Sequence, residues 1–164
     1  RTAARFACRS APPQPSTGLT AAFGGGTDWD TSPGDDKYRR ALYIQWRRTV
    51  PYPSMVTFDA PSRNVCAVTR PRTNTPLQAL VTLNDPVFVE LAEALGRRVE
   101  RDGGPDDEAR VRFAFRACFA RDPETAEAAR VLAYLDAQRK TNPTTAWPAT
   151  ARVLMNLDEF ITRE

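Results

Sequence analysis

The densest group of polar residues able to do chemistry lies between residues 59 and 85. Arginines, side-chain amides and threonines alternate there, and a helix is predicted to begin inside the segment. Guanidinium groups beside amides and a helix N-terminus can hold a carboxylate, a sulfate or a phosphate. The sequence therefore offers a candidate anion- or partner-binding site that comprises Arg63, Arg70, Arg72, Asn74, Gln78, Asn84 and Asp85.

The same segment has a structural interpretation, which we favour. A loop packed against a core must satisfy its backbone polar groups, and nearby polar side chains can supply the hydrogen bonds. On this interpretation the arginines and amides tie the loop to neighbouring helices. Asp59, Thr73, Thr75 and Cys66 then belong to a structural motif rather than to a binding site.

Catalytic and metal sites find little support in the sequence. The chain contains no histidine, which removes the usual general base near neutral pH and the commonest metal ligand. Two carboxylate pairs, Asp158 with Glu159 and Asp85 with Glu90, are possible acid–base pairs, but acidic residues at helix starts explain them more simply. We therefore predict no catalytic residue and no metal ligand in this chain.

The three cysteines leave two arrangements open. Cys8, Cys66 and Cys118 are far apart in the sequence, so one disulfide with one free thiol is possible, and so are three buried thiols. Cys118 lies in an apolar run, where an unpaired cysteine behaves as a small hydrophobic residue. We predict a buried thiol at that position.

The charge distribution is uneven. Residues 37–72 hold eight basic residues and one acidic residue, whereas residues 85–164 hold 12 basic and 15 acidic residues. Such asymmetry can mark an anionic partner, or two halves of one fold that face each other. Aromatic residues lie between the arginines of residues 38–48, which is compatible with nucleic-acid binding. We interpret these arginines instead as the solvated face of a helix, and do not expect a nucleic-acid partner.

Proline and glycine positions divide the chain into an arm and a helical domain. Residues 1–34 contain an extended proline-rich stretch and three consecutive glycines, which predict a linker or arm. Residues 35–164 predict a mainly α fold, an irregular bundle of about five to six helices with a long ordered loop and a possible short extended segment near residues 65–68. The predicted helices are Asp35–Thr49, one from Pro76 capped by Thr75, one from Asp85 to Gly103, Asp107–Ala120, one capped by Asp122-Pro123 that ends at Asn142-Pro143, and one from about Thr145 onward.

Apolar spacing of three and four residues predicts which helix faces are buried. The longest apolar runs are only a few residues long, so the chain has no candidate transmembrane segment. It begins with arginine and lacks a signal-peptide core, so we interpret it as a fragment whose own residues leave the localisation open. The predicted buried groups are Phe88, Leu91, Leu95 and Val99; Val111, Ala114, Phe115 and Cys118; Val131, Leu132 and Leu135; and Val153, Leu154, Leu157, Phe160 and Ile161.

Several segments together carry a family resemblance. The most specific is the string from Arg72 to Leu80, and the others are residues 38–43, 51–55, 57–63, 65–66, 83–85 and 151–160. On these segments the chain resembles planctomycete-specific domain one, a domain of unknown function (1553). The resemblance extends from about residue 10 to the end of the chain.

The resemblance carries expectations about context. Such domains lie at the C-terminus of exported multidomain proteins, many of which have an upstream cytochrome c-like domain. It implies a periplasmic or cell-surface location, haem c in the upstream part of the parent protein, no cofactor in this chain, and the upstream domains as partners. No catalytic residues are established for the family. We expect a non-catalytic structural or interaction module, or alternatively a part of a haem-linked oxidoreductase that binds polysaccharide or another anionic ligand.

Overall fold

The computed structural model describes Tyr38, Tyr43 and residues 51–61, 66–69 and 71–162. The chain divides into two compact units, Arg1–Thr73 (unit 1) and Asn74–Glu164 (unit 2), and each is described by itself. The predicted arm, residues 1–34, lies outside the described residues. So does the predicted helix over residues 35–49 apart from its two tyrosines, and both stay predictions.

The described elements are helices, as the sequence predicts. Among the residues that the structure describes there is no β-strand, and no helix is both long and apolar enough to span a bilayer. The helices are α1 (Pro53–Thr57) in unit 1 and, in unit 2, α2 (Pro76–Asn84), α3 (Pro86–Asp102), α4 (Asp107–Phe119), α5 (Thr125–Thr141), a 3-10 turn (Pro143–Thr145), α6 (Ala146–Leu154) and α7 (Asp158–Ile161).

Among the described residues of unit 1, one turn of α-helix lies inside the segment that the sequence predicted as a loop. Helix α1 has Pro53 in its first turn, where the missing amide costs nothing, and the preceding Tyr52 is buried. Residues 66–69 form no strand, because the backbone bends at Val68 and Thr69 and all four residues are exposed. A strand requires a paired neighbour, and this exposed stretch has none among the described residues.

The packing of α3 differs from the prediction at one of the four predicted residues. Leu91 is 44% exposed, and the buried residues of α3 are Ala92, Gly96 and Val99. Small residues occupy this face because α6 crosses closely. A Cβ atom added to Gly96 would lie 2.6 Å from the backbone nitrogen of Pro148. Hydrophobic spacing is therefore wrong at Leu91, whereas the other three residues predicted on this face are buried or pack against the hydrophobic clusters.

Helix α4 presents the face that the sequence predicted. Val111, Ala114, Phe115 and Cys118 are all buried. Phe119 is buried with them, and its ring meets that of Phe115 edge to face at a centroid distance of 5.2 Å. These residues form the largest hydrophobic cluster of unit 2, together with Val99, Leu135, Ala146, Trp147 and Leu154.

The boundaries of the last helices correct two predictions. Asp122 does not cap α5, which begins three residues later, because its carboxylate accepts hydrogen bonds from Arg116 instead. The single helix predicted from about Thr145 is two helices, α6 and α7, separated by a turn at residues 155–157. Val153 and Leu157, both predicted to be buried, are exposed. The buried positions are Ala146, Trp147, Thr150, Ala151, Leu154 and Met155.

Candidate functional site

Asp59 and Thr73 close a loop in unit 1. The Thr73 amide donates to Asp59 Oδ2 at 2.8 Å, and the Thr73 hydroxyl donates to the same carboxylate at 2.8 Å to Oδ2 and 3.0 Å to Oδ1. Asp59 has a φ of 58°, a left-handed conformation that aspartate tolerates better than most residues. This pair, the Asp59–Thr73 clamp, fixes both ends of residues 60–72.

The loop between the clamp residues is basic. Residues 60–72 contain three arginines and no acidic residue, and Arg72 is exposed. Cys66 is exposed and is not in a disulfide with any described residue, so the arrangement with three buried thiols is wrong at this position. Arg63 and Arg70, the other two predicted binding residues of the loop, lie outside the described residues.

Thr75 and Gln78 form the predicted capping box at the start of α2. The Gln78 backbone amide donates to Thr75 Oγ1 at 3.3 Å, and the Thr75 backbone amide donates to the side-chain oxygen Oε1 of Gln78 at 2.9 Å. Gln78 is 1% exposed. The box satisfies the Thr75 backbone amide and gives a second acceptor to the Gln78 backbone amide, which also donates to the Thr75 carbonyl at 3.0 Å. This pair therefore serves the helix start, while the neighbouring Asn74 is exposed.

Asn84 and Asp85 serve the junction between α2 and α3. The Asn84 side-chain amide donates to the Leu80 carbonyl at 2.8 Å, which satisfies an acceptor in the last turn of α2. The Asp85 carboxylate accepts from the Val87 amide at 2.9 Å, and Asp85 is the predicted cap of α3. Both predicted site residues are therefore engaged with local backbone.

The predicted site residues fall in both units. Unit 1 holds Asp59, Cys66, Arg72 and Thr73, and unit 2 holds Asn74, Thr75, Gln78, Asn84 and Asp85.

A second polar centre, which the sequence analysis missed, surrounds Arg121. Its guanidinium makes five hydrogen bonds. Nη1 and Nη2 donate to Glu127 at 2.7 and 2.8 Å, Nε and Nη2 donate to Glu159 at 2.8 and 2.6 Å, and Nη1 donates to the Asp122 carbonyl at 3.1 Å. We call Arg121, Glu127 and Glu159 the arginine hub.

The arginine hub joins three parts of unit 2. Arg121 lies in the α4–α5 loop, Glu127 in the first turn of α5, and Glu159 in α7. The guanidinium carbon also lies 5.5 Å from the ring centroid of Phe115 and 5.8 Å from that of Phe119, within cation–π range. One side chain thus connects the edge of the hydrophobic cluster to two later helices.

The electrostatics of the hub favour its charged form. The hydrogen bonds from Arg121 lower the pKa of the Glu127 carboxyl to about 2, with a further contribution from the Glu124 amide. The hydrogen bonds to Glu127 and Glu159 raise the pKa of Arg121 above its usual range. A carboxylate held ionised in this way is a poor proton donor near neutral pH.

Local sequence patterns indicate only the Arg121–Glu127 half of this hub. Glu159 was considered only as an acid–base partner of Asp158, and it is instead bonded to an arginine 38 residues earlier. Spacing rules detect neighbours within a helix or strand, not pairs between elements. The usable signal was the order Arg121, Glu124, Glu127 across a loop and the following helix start.

Asp107 and Arg139 form a comparable pair between the start of α4 and the end of α5. Arg139 Nη2 donates to Asp107 Oδ1 at 2.7 Å, and Arg110 lies 3.6 Å from the same carboxylate. The hydrogen bond from Arg139 lowers the pKa of Asp107. The negative Asp107 is favourable at the positive N-terminal end of α4, and the positive Arg139 is favourable at the negative C-terminal end of α5. The pair joins these two ends, so the helices are antiparallel.

Two contacts hold α2 against the end of α6. The Thr82 hydroxyl donates to Asn156 Oδ1 at 2.6 Å, and Arg152 Nη2 donates to the Leu83 carbonyl. The Arg152 Nε and the indole nitrogen of Trp147 are buried without a hydrogen-bond partner among the described residues. Arg152 of α6 and Asn156 of the turn that follows α6 thus hold the C-terminal part of α2.

Among the described residues, the remaining cysteine and carboxylate groups do not cluster into a metal-binding or nucleophilic site. Burial raises the pKa of the Cys118 thiol to about 11, which disfavours the reactive thiolate at neutral pH. Within the described part of the chain, no group of three or more cysteine, aspartate or glutamate side chains is arranged to hold a metal ion.

Comparison with known families identifies the domain type. The family profile of PSD1, a protein family of unknown function (DUF1553), matches residues 7–135. The chain belongs to the PSD1 family. The match spans most of the chain, from unit 1 through to Leu135 in α5, and confirms the resemblance carried by the string from Arg72 to Leu80.

The PSD1 match ends before α6 and α7, so the resemblance seen in residues 151–160 lies outside it. No curated protein and no solved structure matches this PSD1 chain significantly. The Asp59–Thr73 clamp and the α2 capping box lie inside the matched residues, whereas Glu159 of the arginine hub does not.

Proposed function

We propose that this PSD1 chain is a non-catalytic structural and interaction module of a larger exported protein, and that it docks onto the other domains of that protein. The observation that carries the proposal is that several predicted site residues form hydrogen bonds with backbone groups of this chain. Gln78 and Asp85 cap helices, and Asp59 closes a loop. Side chains that are hydrogen-bonded to the backbone keep the surface around them ordered. An ordered surface suits docking better than catalysis.

The proposed context is a cytochrome c-like protein with haem c in a different domain. This part rests on the family resemblance and on one property of the chain. A c-type haem attachment needs a histidine directly after its second cysteine, and this chain has no histidine. Haem would therefore reside elsewhere in the longer protein, and the module would contact the haem domain from outside.

Association with the rest of the longer protein tests the proposal. The chain and the remaining domains are produced separately and mixed, and binding is measured by calorimetry and by size-exclusion chromatography. We expect a complex with a dissociation constant of about 10 µM or tighter, since transient domain interfaces are of moderate size. Absence of association at 100-fold higher concentration would contradict docking.

A matched pair of variants sharpens this test. Gln78→Ala removes a buried capping residue and should lower the melting temperature of the chain, whereas Asn74→Ala changes an exposed neighbour in the same segment. On the structural interpretation Gln78→Ala has the larger effect on stability. If Asn74→Ala abolishes association while the melting temperature is unchanged, Asn74 lies in the docking surface itself.

The second candidate is binding of polysaccharide or another anionic ligand, as part of a haem-linked oxidoreductase. The observation that favours it is the clamped loop with three arginines and no acidic residue. Binding of a sulfated glycan should weaken as salt is added, because ions screen exposed charges. A neutral glycan of equal length is the control, and Arg72→Ala should weaken only the sulfated ligand. Binding of duplex DNA with equal salt dependence would indicate a general polyanion surface instead.

A further inference from the structure

Helix α7 is held in place by side chains rather than by its own stability. It spans four residues, Asp158–Ile161, with no side-chain cap and no fully buried residue. A single isolated turn of helix is unstable in water. Its position in the fold must therefore come from contacts with the other helices of unit 2.

The backbone of this segment is bonded to itself. The amides of Phe160 and Ile161 donate to the Leu157 carbonyl, and the Thr162 amide donates to the Asp158 carbonyl. These bonds can survive or break together without disturbing the hydrogen bonds of α3 or α6. Segments of this kind have low opening free energies compared with the core helices they pack against.

The side chains of Glu159 and Phe160 anchor the segment to the rest of unit 2. Glu159 accepts two hydrogen bonds from Arg121, and Phe160 packs against both hydrophobic clusters of unit 2, one of which comprises Ala92, Ala151 and Met155. Phe160 is only partly buried, so its contribution is smaller than that of a core phenylalanine.

Arg121 does not depend on the segment for its own position. Two of its hydrogen bonds go to Glu127 and one goes to the Asp122 carbonyl, and Glu127 is itself fixed by the Glu124 amide. The Nε and Nη2 edge of the guanidinium therefore keeps its orientation when Glu159 leaves. A carboxylate that returns finds both donors already aligned.

We propose that residues 158–162 form a latch that opens and closes as a unit on Arg121 while the other helices of unit 2 stay folded. Opening withdraws Phe160 from both hydrophobic clusters and presents it, with the apolar surface beneath it, to solvent. The latch thus changes the apolar surface that unit 2 exposes to solvent without unfolding the unit.

Residue-resolved hydrogen exchange on the full chain tests the latch. The amides of Phe160, Ile161 and Thr162 should be protected, yet exchange roughly 100-fold faster than the core amides of α3 and α6. Glu159→Gln should accelerate the three latch amides by about tenfold, since it removes a charge-assisted bidentate pair. The exchange rates of α3 and α6 should stay unchanged.

Asp158→Asn is the matched control, because the Asp158 carboxylate lies in the same turn and forms no ion pair with any arginine that the structure describes. It should leave the three latch rates within about twofold of the wild type, well below the effect of removing the bidentate pair. The proposal is overturned if the latch amides are unprotected, or if they exchange in step with α6. It is also overturned if Asp158→Asn matches Glu159→Gln, or if Glu159→Gln accelerates exchange throughout unit 2.

Discussion

At the scale of single residues, Arg121 illustrates how much one guanidinium can connect. Its planar fork makes two bidentate pairs at once, and its face lies near two phenylalanine rings. Lysine offers one point charge with three rotatable donors and cannot reproduce this geometry. Arginine and lysine are therefore not interchangeable at position 121.

Arg121→Lys should lower the melting temperature of the chain more than Arg116→Lys does. Arg116 also makes a bidentate pair, with Asp122, but this pair is exposed and joins only neighbouring segments, and such pairs contribute little. Thermal unfolding followed by circular dichroism measures both. Equal melting temperatures for the two variants would show that the arginine hub adds nothing beyond an ordinary surface pair.

The two described cysteines should differ sharply in reactivity. Cys118 is buried and its pKa is raised to about 11, so almost no thiolate exists at pH 7.5 and reagents cannot reach it. Cys66 is exposed. Maleimide labelling followed by peptide mass spectrometry should modify Cys66 in the native protein and Cys118 only after denaturation. Native labelling of Cys118 would mean that α4 opens readily.

At the scale of helices, the crossing of α3 and α6 depends on a residue without a side chain. Helices α3 and α6 cross where Gly96 meets Pro148. An added Cβ would press on backbone and ring atoms, none of which can swing away as a flexible side chain would. The crossing therefore fixes the spacing of the two helices that bring both hydrophobic clusters together.

Gly96→Ala should reduce the free energy of unfolding by about 2 kcal/mol, the usual cost of overpacking a tight contact. The sign is informative, because alanine in an unconstrained helix position stabilises by about 1 kcal/mol relative to glycine. Urea unfolding gives the value. A gain in stability would show that α3 and α6 are further apart than the structure places them.

Sequence reasoning succeeded where the cause is local. The start of α2 follows from Thr75, Pro76 and Gln78 because the cap and its partner are three residues apart. The end of α3 follows from the glycines at 103 and 104, of which Gly104 takes a positive φ of 107°. Such features need no knowledge of the tertiary fold.

Where partners lie far apart in the sequence, local reasoning did not reach them. The exposure of Leu91 and the burial of Gly96 depend on α6, and the role of Glu159 depends on Arg121. The resemblance supplied the family, which residue spacing alone would not have done. The predicted binding role of Arg72 and Asn74 stays a prediction.

At the scale of the whole molecule, carboxylates paired with arginine make the fold sensitive to acid. Hydrogen bonds from arginine lower the pKa values of Asp102, Asp107, Asp122 and Glu127. Each such group stabilises the fold above its unfolded pKa of about 4. That contribution disappears as the pH falls through the lower folded pKa, because the unfolded chain then binds more protons.

The urea midpoint should therefore be level from about pH 7 to pH 5 and should fall between about pH 4.5 and pH 2, the window set by Glu127 and its unfolded value. Glu127→Gln should lower the midpoint at pH 7 and should flatten this decline. Glu108→Gln is the control, since Glu108 is exposed and lies outside the arginine hub. If Glu127→Gln and the wild type keep a constant difference down to pH 2, the Arg121–Glu127 pair is not the source of the acid sensitivity.

The Asp59–Thr73 clamp has a consequence for how the loop between its two residues tolerates change. Three hydrogen bonds hold the two ends of residues 60–72 together, and the entropy cost of closing a loop rises only slowly with its length. Insertions between these ends should therefore leave the stems in place. The clamped loop can therefore vary in length and sequence at little cost to folding.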